Sequence, residues 1–129
     1  MSSKEINIEC GIINEVKDQI IENTIFDNIT IDAEDAMELV HYSRKLMGNK
    51  KFSLLVNTGR NIIVTKDAWT IFNLKKNEEN ITLKALVIKN PVYYFLSEVY
   101  FSINKSKIKT KIFTDRDKAL EWLQKKSKN

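Results

Sequence analysis

The polar chemistry of this sequence is grouped most tightly at Asn57, Thr58, Gly59 and Arg60, followed closely by Thr65, Lys66 and Asp67. Asn57 favours a turn, and Gly59 can take a positive φ at little cost. Thr65 is placed to cap a helix, whose free first-turn amides at 65–68 can receive an anion. Arg60 would add a bidentate donor to such an anion. The competing reading of the same residues is a plain turn and cap with no ligand. Acid–base chemistry needs a poised group near a substrate. The one histidine, His41, stands alone, and the one cysteine, Cys10, has no basic partner nearby in sequence. Asp67 is accounted for by the positive end of a helix. No His, Cys or carboxylate spacing suggests a metal. These features point away from an enzyme, and no cofactor is expected.

A second cluster is aromatic. Asn90-Pro91 opens a helix, since proline lacks only an amide that the first turn does not use. Over Pro91 to Ile103, steps of about 100° place Phe95, Leu96, Val99 and Ile103 on one inward face. Tyr94 and Phe101 share another stripe, and Tyr93 and Tyr100 the one beside it. A single sheet cannot cover all of these, and aromatic residues are enriched at interfaces. Tyr93, Tyr94, Tyr100 and Phe101 are therefore the candidate interface, with a homodimer as the simplest partner.

The elements that must position these groups follow in order. Alternation from Ile8 to Val16 predicts a strand, Lys17-Asp18-Gln19 a turn, and Ile20 to Phe26 a second strand completing an antiparallel hairpin. Asp32 caps a helix that Gly48 ends, with Asp35 at the third position and Arg44 and Lys45 in the last turn. Its core stripe is Ala36, Leu39, Val40, Ser43, Leu46 and Met47; His41 lies off it. Phe52 to Val56 is a buried strand, and Thr65 to about Lys76 a helix burying Ala68, Ile71 and Phe72. Thr82 to Lys89 is a strand whose continuous Ala85-Leu86-Val87-Ile88 predicts cover on both faces. Lys105 to Phe113 alternates lysines with Ile108, Thr110 and Ile112, an edge strand with one charged side. Thr114-Asp115-Arg116-Asp117 starts a last helix with the stripe Ala119, Leu120 and Leu123, flanked by Trp122. From Gln124 onward the chain reads as a frayed basic tail.

The resulting order, β-β-α-β-α-β-α-β-α, predicts an α/β fold: a hairpin, then βα repeats, in a mixed and largely parallel sheet flanked by helices. The totals agree. The 129 residues suit one domain over 1–129, with a core of about 8–124 and a basic tail at 125–129. Hydrophobic residues at 43% and charged residues at 29% provide a real core and exclude a disordered chain. No apolar run approaches the ~20 residues of a transmembrane helix. The start Met1-Ser2-Ser3-Lys4-Glu5 lacks an apolar signal segment, and a lone cysteine fits a reducing, cytoplasmic setting. The net charge of +4 comes from 21 basic and 17 acidic side chains. Its excess at Lys105, Lys107, Lys109, Lys111, Lys125, Lys126 and Lys128 reads as solvated surface. Without interleaved aromatics or an RNP-like motif, nucleic acid is not an expected partner.

One ordered set of segments resembles a known superfamily. It comprises Leu54-Leu55-Val56-Asn57-Thr58-Gly59-Arg60, Thr65-Lys66-Asp67-Ala68, Lys84-Ala85-Leu86-Val87-Ile88, Lys111-Ile112-Phe113-Thr114-Asp115 and Ala119-Leu120-Glu121-Trp122-Leu123. Over roughly Asp18 to Leu123 the chain resembles the small bacterial proteins of the SpoIIAA-like (STAS/SEC14-like) superfamily. The resemblance implies that fold and a non-enzymatic binding or regulatory module acting through protein–protein contacts. The alternative it implies is a domain for a small lipid-like or anionic ligand. Anti-sigma-factor antagonists of that superfamily carry Asp-Ser-Ser-Gly at the helix after the central strand and are phosphorylated on the second serine. Asp67 stands in that slot here, so no seryl phosphorylation switch is expected.

Overall fold

Residues 4–90 and 108–127 are described by the computed structural model. The Pro91 to Ile103 segment, with Tyr93, Tyr94, Tyr100 and Phe101, lies outside them, as do residues 104–107. Strands β1 (Glu5–Ile8), β2 (Gly11–Lys17), β3 (Ile20–Ile25), β5 (Phe52–Asn57), β7 (Ile81–Val87) and β8 (Lys109–Phe113) form one sheet in the order β1-β2-β3-β5-β7-β8. The first three pair antiparallel; β3, β5, β7 and β8 pair parallel. The strands β4 (Thr30–Ile31) and β6 (Ile63–Val64) pair in a small parallel sheet. The helices are α1 (Ala33–Met47), α2 (Lys66–Phe72), α3 (Lys75–Glu78) and α4 (Arg116–Ser127). None of the described helices is long and apolar enough to cross a membrane.

The α1 signals act as the sequence suggests. Asp35 N donates to Asp32 Oδ1 at 2.9 Å, and Asp32 N to Asp35 Oδ2 at 3.2 Å, a closed capping box. Gly48 ends the helix at φ 63°, where a side chain would be strained. Ala36, Leu39, Ser43 and Met47 are buried and His41 is exposed. In α4, Asp115 Oδ1 accepts from Asp117 N at 2.9 Å, and Ala119 and Leu123 are fully buried. Strand β8 lies at the sheet's edge, paired with β7.

Several features differ from the expectation. The single strand Ile8 to Val16 is two strands, broken at Glu9–Cys10. Gly11 permits this: a Cβ there would lie 2.0 Å from the Thr24 carbonyl oxygen, so only glycine fits against β3. Helix α2 stops at Phe72, capped by Asn73, instead of running to Lys76. Asn77 Nδ2 donates to the Ile71 carbonyl at 2.7 Å, holding the end of that helix. The carboxy-terminal tail begins later than Gln124, because α4 continues to Ser127 with a Lys125–Glu121 ion pair at 3.2 Å. Gly59 is required for close approach and not for a positive φ. A Cβ there would sit 2.5 Å from Asp27 Oδ1, while the left-handed conformation falls two residues on, at Asn61 (φ 56°).

The two faces of the large sheet carry separate cores. Ile13, Ile21, Ile25 and Phe52 pack with Ala36, Leu39 and Met47 of α1. On the other face Ile20, Leu55, Ala85 and Val87 pack with Ala119 and Leu123 of α4. Strand pleating makes this division, since alternate residues of β3, β5 and β7 point to opposite sides.

Candidate functional site

A cleft of about 720 Å³ opens among the described residues on the α1 face of the sheet. Register dictates its floor. Asn23, Val56, Leu86 and Ile112 are aligned across four strands, and so are Ile21, Leu54, Lys84 and Thr110. Of these, Asn23, Leu54, Val56, Lys84 and Leu86 line the cleft. Leu39, Val40 and Ser43 of α1 form one wall, Trp69 and Phe72 of α2 another, and Ile62, Ile63 and Val64 part of the rim. Trp69 and Phe72 meet edge to face at 6.4 Å.

Two polar groups stand on opposite sides of this apolar floor. On β3, Asn23 Nδ2 donates to Ser43 Oγ at 2.9 Å, and both residues are buried. On β7, Lys84 Nζ lies 4.0 Å from Glu78 Oε2 with its side chain only 14% exposed. Burial pushes the Lys84 pKa below its ordinary value, against the pull of Glu78. Leu54 and Val56 of β5 separate the two.

The loop after β5 is pinned at the C-terminal end of the strands. Thr58 N and Oγ1 both donate to the Val87 carbonyl, at 3.2 and 2.6 Å. Arg60 N donates to Asp27 Oδ1, and Asn28 N to the Arg60 carbonyl, each at 2.7 Å. Asn61 Nδ2 donates to Asn28 Oδ1 at 2.8 Å. Thr58, Arg60 and Asn61 are thus each held by a partner from β7 or from residues 27–28.

The seven candidate ligand residues therefore divide. Thr58, Gly59 and Arg60 line the mouth of the cleft. Asn57 turns to the opposite face, where its Nδ2 donates to Glu22 Oε2 at 3.3 Å and its buried Oδ1 has no partner among the described residues. Thr65, Lys66 and Asp67 are not cleft residues. Thr65 Oγ1 accepts from Ala68 N at 3.1 Å, a cap on a helix of 7 residues.

Sequence reasoning missed the cluster around Asn57. Glu22, 4% exposed, receives a fork of hydrogen bonds from Arg116: Nε to Oε2 at 2.9 Å and Nη2 to Oε1 at 2.7 Å. That bond to Glu22 holds the Arg116 pKa above its ordinary value, although burial opposes it. The fork ties the start of α4 to β3. No local pattern could reveal it, because the partners are 94 residues apart. Cys10 is 1% exposed; burial first, then the charge of Asp35, pushes its thiol up from 9.0 to about 12. Such a thiol stays neutral and unreactive. No group of three or more His, Cys, Asp or Glu placed to hold a metal occurs among the described residues.

This sheet order, with its amino-terminal antiparallel strands and its βα repeats, is the SpoIIAA-like fold. An uncharacterized protein of the DUF3478 family with a SpoIIAA-like fold, from Shewanella loihica PV-4, is similar in structure. The TM-score is 0.57 at 14% sequence identity, over 95% of this chain and 92% of that one. Within that fold the chain belongs to the family described as Domain of unknown function (DUF7793), which matches residues 14–127. No curated protein matches the sequence.

Proposed function

We propose that this protein is a non-catalytic binding module whose site is the cleft on the α1 face and whose ligand is an apolar small molecule. The observation that carries this reading is the cleft itself. Its volume of about 720 Å³ falls within the ~300–1,000 Å³ of small-molecule sites. Its floor and walls are aliphatic and aromatic, with a few fixed polar groups, the composition that such sites share. The reactive side chains of the sequence lie elsewhere: His41 is exposed on α1 and the Cys10 thiol is buried and neutral. The other reading, a regulatory module contacting a protein partner or a second copy through Tyr93, Tyr94, Tyr100 and Phe101, rests on the sequence alone. Sedimentation at high concentration tests it.

The cleft reading is tested with the neutral probe N-phenyl-1-naphthylamine. The expected result is saturable uptake of one probe per chain. Val56→Phe, which fills the floor, should abolish uptake while the circular dichroism stays that of the folded protein. No uptake by the wild-type protein overturns the reading.

A further inference from the structure

One nucleophile of the sequence does lie in the cleft. Lys84 sits in the middle of β7 and lines the floor, with its side chain only 14% exposed. Its row across the sheet is Ile21, Leu54 and Thr110, a row that an aliphatic residue would complete without desolvating a charge. Lysine is seldom placed so deep unless paired, and even a paired one is a weak source of stability. The pairing here is loose. Glu78 Oε2 stands 4.0 Å from Lys84 Nζ, farther than a hydrogen bond reaches. The Glu78 side chain is itself 15% exposed, so amine and carboxylate share a largely dry corner at the end of α3. The other cleft cations are differently placed. Lys89 and Arg60 are exposed at the rim. The guanidinium groups of Arg44 and Arg60 stay protonated and are not nucleophiles. Nearby carboxylates are engaged elsewhere: Glu79 stands by Arg44, and Asp27 accepts from Arg60 N.

We infer that Lys84 captures a neutral apolar aldehyde as a protonated imine, with Glu78 carrying the protons of the condensation. This rests on the cleft being an apolar small-molecule site and names the functional group held there. The step balances within the pair. The Lys84 ammonium gives one proton to the Glu78 carboxylate, and the freed Nζ lone pair attacks the aldehyde carbon as the π pair moves to oxygen. Glu78 returns its proton to that oxygen and takes one from Nζ. It then protonates the hydroxyl, which leaves as water while the nitrogen lone pair forms the C=N bond. An ammonium and an aldehyde have become an iminium and water, and Glu78 ends as the carboxylate it began. One positive charge still faces one negative charge, so capture creates no new buried charge. Burial lowers the Lys84 pKa, which favours the free amine that attack requires. The aliphatic and aromatic lining takes the rest of the molecule. Water reverses the capture, so the chain holds one aldehyde and turns nothing over, in keeping with a binding module.

The test is reductive trapping on the full chain. Benzaldehyde, a neutral probe, is added with sodium cyanoborohydride at neutral pH, and mass spectrometry of proteolytic peptides ranks the lysines. Lys84 should be labelled faster than the exposed Lys66 by about tenfold or more. Glu78→Gln should slow labelling of Lys84 by about tenfold and leave Lys66 unchanged. Val56→Phe, which fills the floor, should also slow Lys84 and not Lys66. In spectra of the intact protein, a fast singly labelled species should form from the wild type and not from Lys84→Met. A variant that fails to fold leaves the wild-type ranking to decide. If the wild type takes up N-phenyl-1-naphthylamine but labels Lys84 no faster than Lys66, the inference is overturned while the cleft reading stands. Fast labelling of Lys84 that Glu78→Gln or Val56→Phe leaves unchanged overturns it equally. If N-phenyl-1-naphthylamine is not taken up at all, the cleft reading has failed and the inference falls with it.

Discussion

On the α4 face of the sheet, Ile20, Leu55, Ala85, Val87, Ala119 and Leu123 are each 2% exposed or less. On the α1 face the same strands present Asn23, Leu54, Val56, Lys84 and Leu86 to a cleft. The strand members of the two sets, Ile20, Leu55, Ala85 and Val87 on one face and the cleft residues on the other, alternate along β3, β5 and β7, so strand position alone does not set the faces apart. Cover does. Helix α4 packs across β5, β7 and β8, whereas α1 packs on β2 and β3, with α2 packing chiefly against α1. Among the described residues, the α1 side of β5 and β7 is left with space.

The sharpest test of this contrast is the fork that closes the α4 face. Arg116→Ala would leave Glu22 buried without its cation, and the expected loss is about 4 kcal/mol of stability in urea unfolding. Glu22→Gln should cost less, because Arg116 has a side chain 36% exposed and its guanidinium can reach water. A loss below about 1 kcal/mol for Arg116→Ala would mean that apolar packing alone seals that face.

Adjacent leucines give the next comparison. Leu55 is fully buried under α4, and Leu54 is half-buried in the cleft. Leu55→Ala is expected to cost about 3 kcal/mol and Leu54→Ala about 1 kcal/mol. Equal losses would show that the cleft is as tightly filled as the closed face.

A further comparison is in alkali, and it belongs to the α1 side. With the Cys10 thiol held near 12 in the fold against 9.0 ordinarily, the unfolded chain releases a proton above pH 9 that the native state keeps. Stability from this group is intact below pH 9 and falls as pH rises toward 12, by about 1.4 kcal/mol per unit. Urea midpoints at pH 8 and pH 10 should therefore diverge more for the wild type than for Cys10→Ala, by about 1.4 kcal/mol. Parallel behaviour of the two proteins would remove the thiol from the account.

Much of this arrangement is legible in the residues. Asp32, Asp35 and Gly48 bound α1 because caps are local chemistry, readable within a few positions. The run Ala85-Leu86-Val87 marks a strand of the sheet interior, though among the described residues only its α4 side is covered by a helix, and the lysine alternation marks the edge. The break at Glu9–Cys10 is hidden because Ile8, Cys10 and Ile12 keep the period of 2 across it; only the approach of Gly11 to Thr24 explains it. Strands β4 and β6, of 2 residues each, are too short for any period. Within the candidate ligand loop, Asn57 and Thr58 go to opposite sides of the sheet. Their side chains alternate as strand residues do, and a turn-based reading treats them as one group. The cleft draws on β3, α1, β5, α2 and β7 together, so no window of sequence contains it.

The fork between Glu22 and Arg116 also sets a schedule. A ribosome adding about 5–20 residues each second needs roughly 5–20 s to travel from the glutamate codon to the arginine codon. Throughout that interval the nascent chain holds a carboxylate destined for burial and no cation to meet it. Until β8 emerges, β7 is the sheet's last strand, with its Ala85-Leu86-Val87 backbone unpaired on one side. The final twenty or so residues are therefore the ones that commit the preceding strands to their place, and a transcript truncated before them yields a sheet with an apolar margin open to its neighbours.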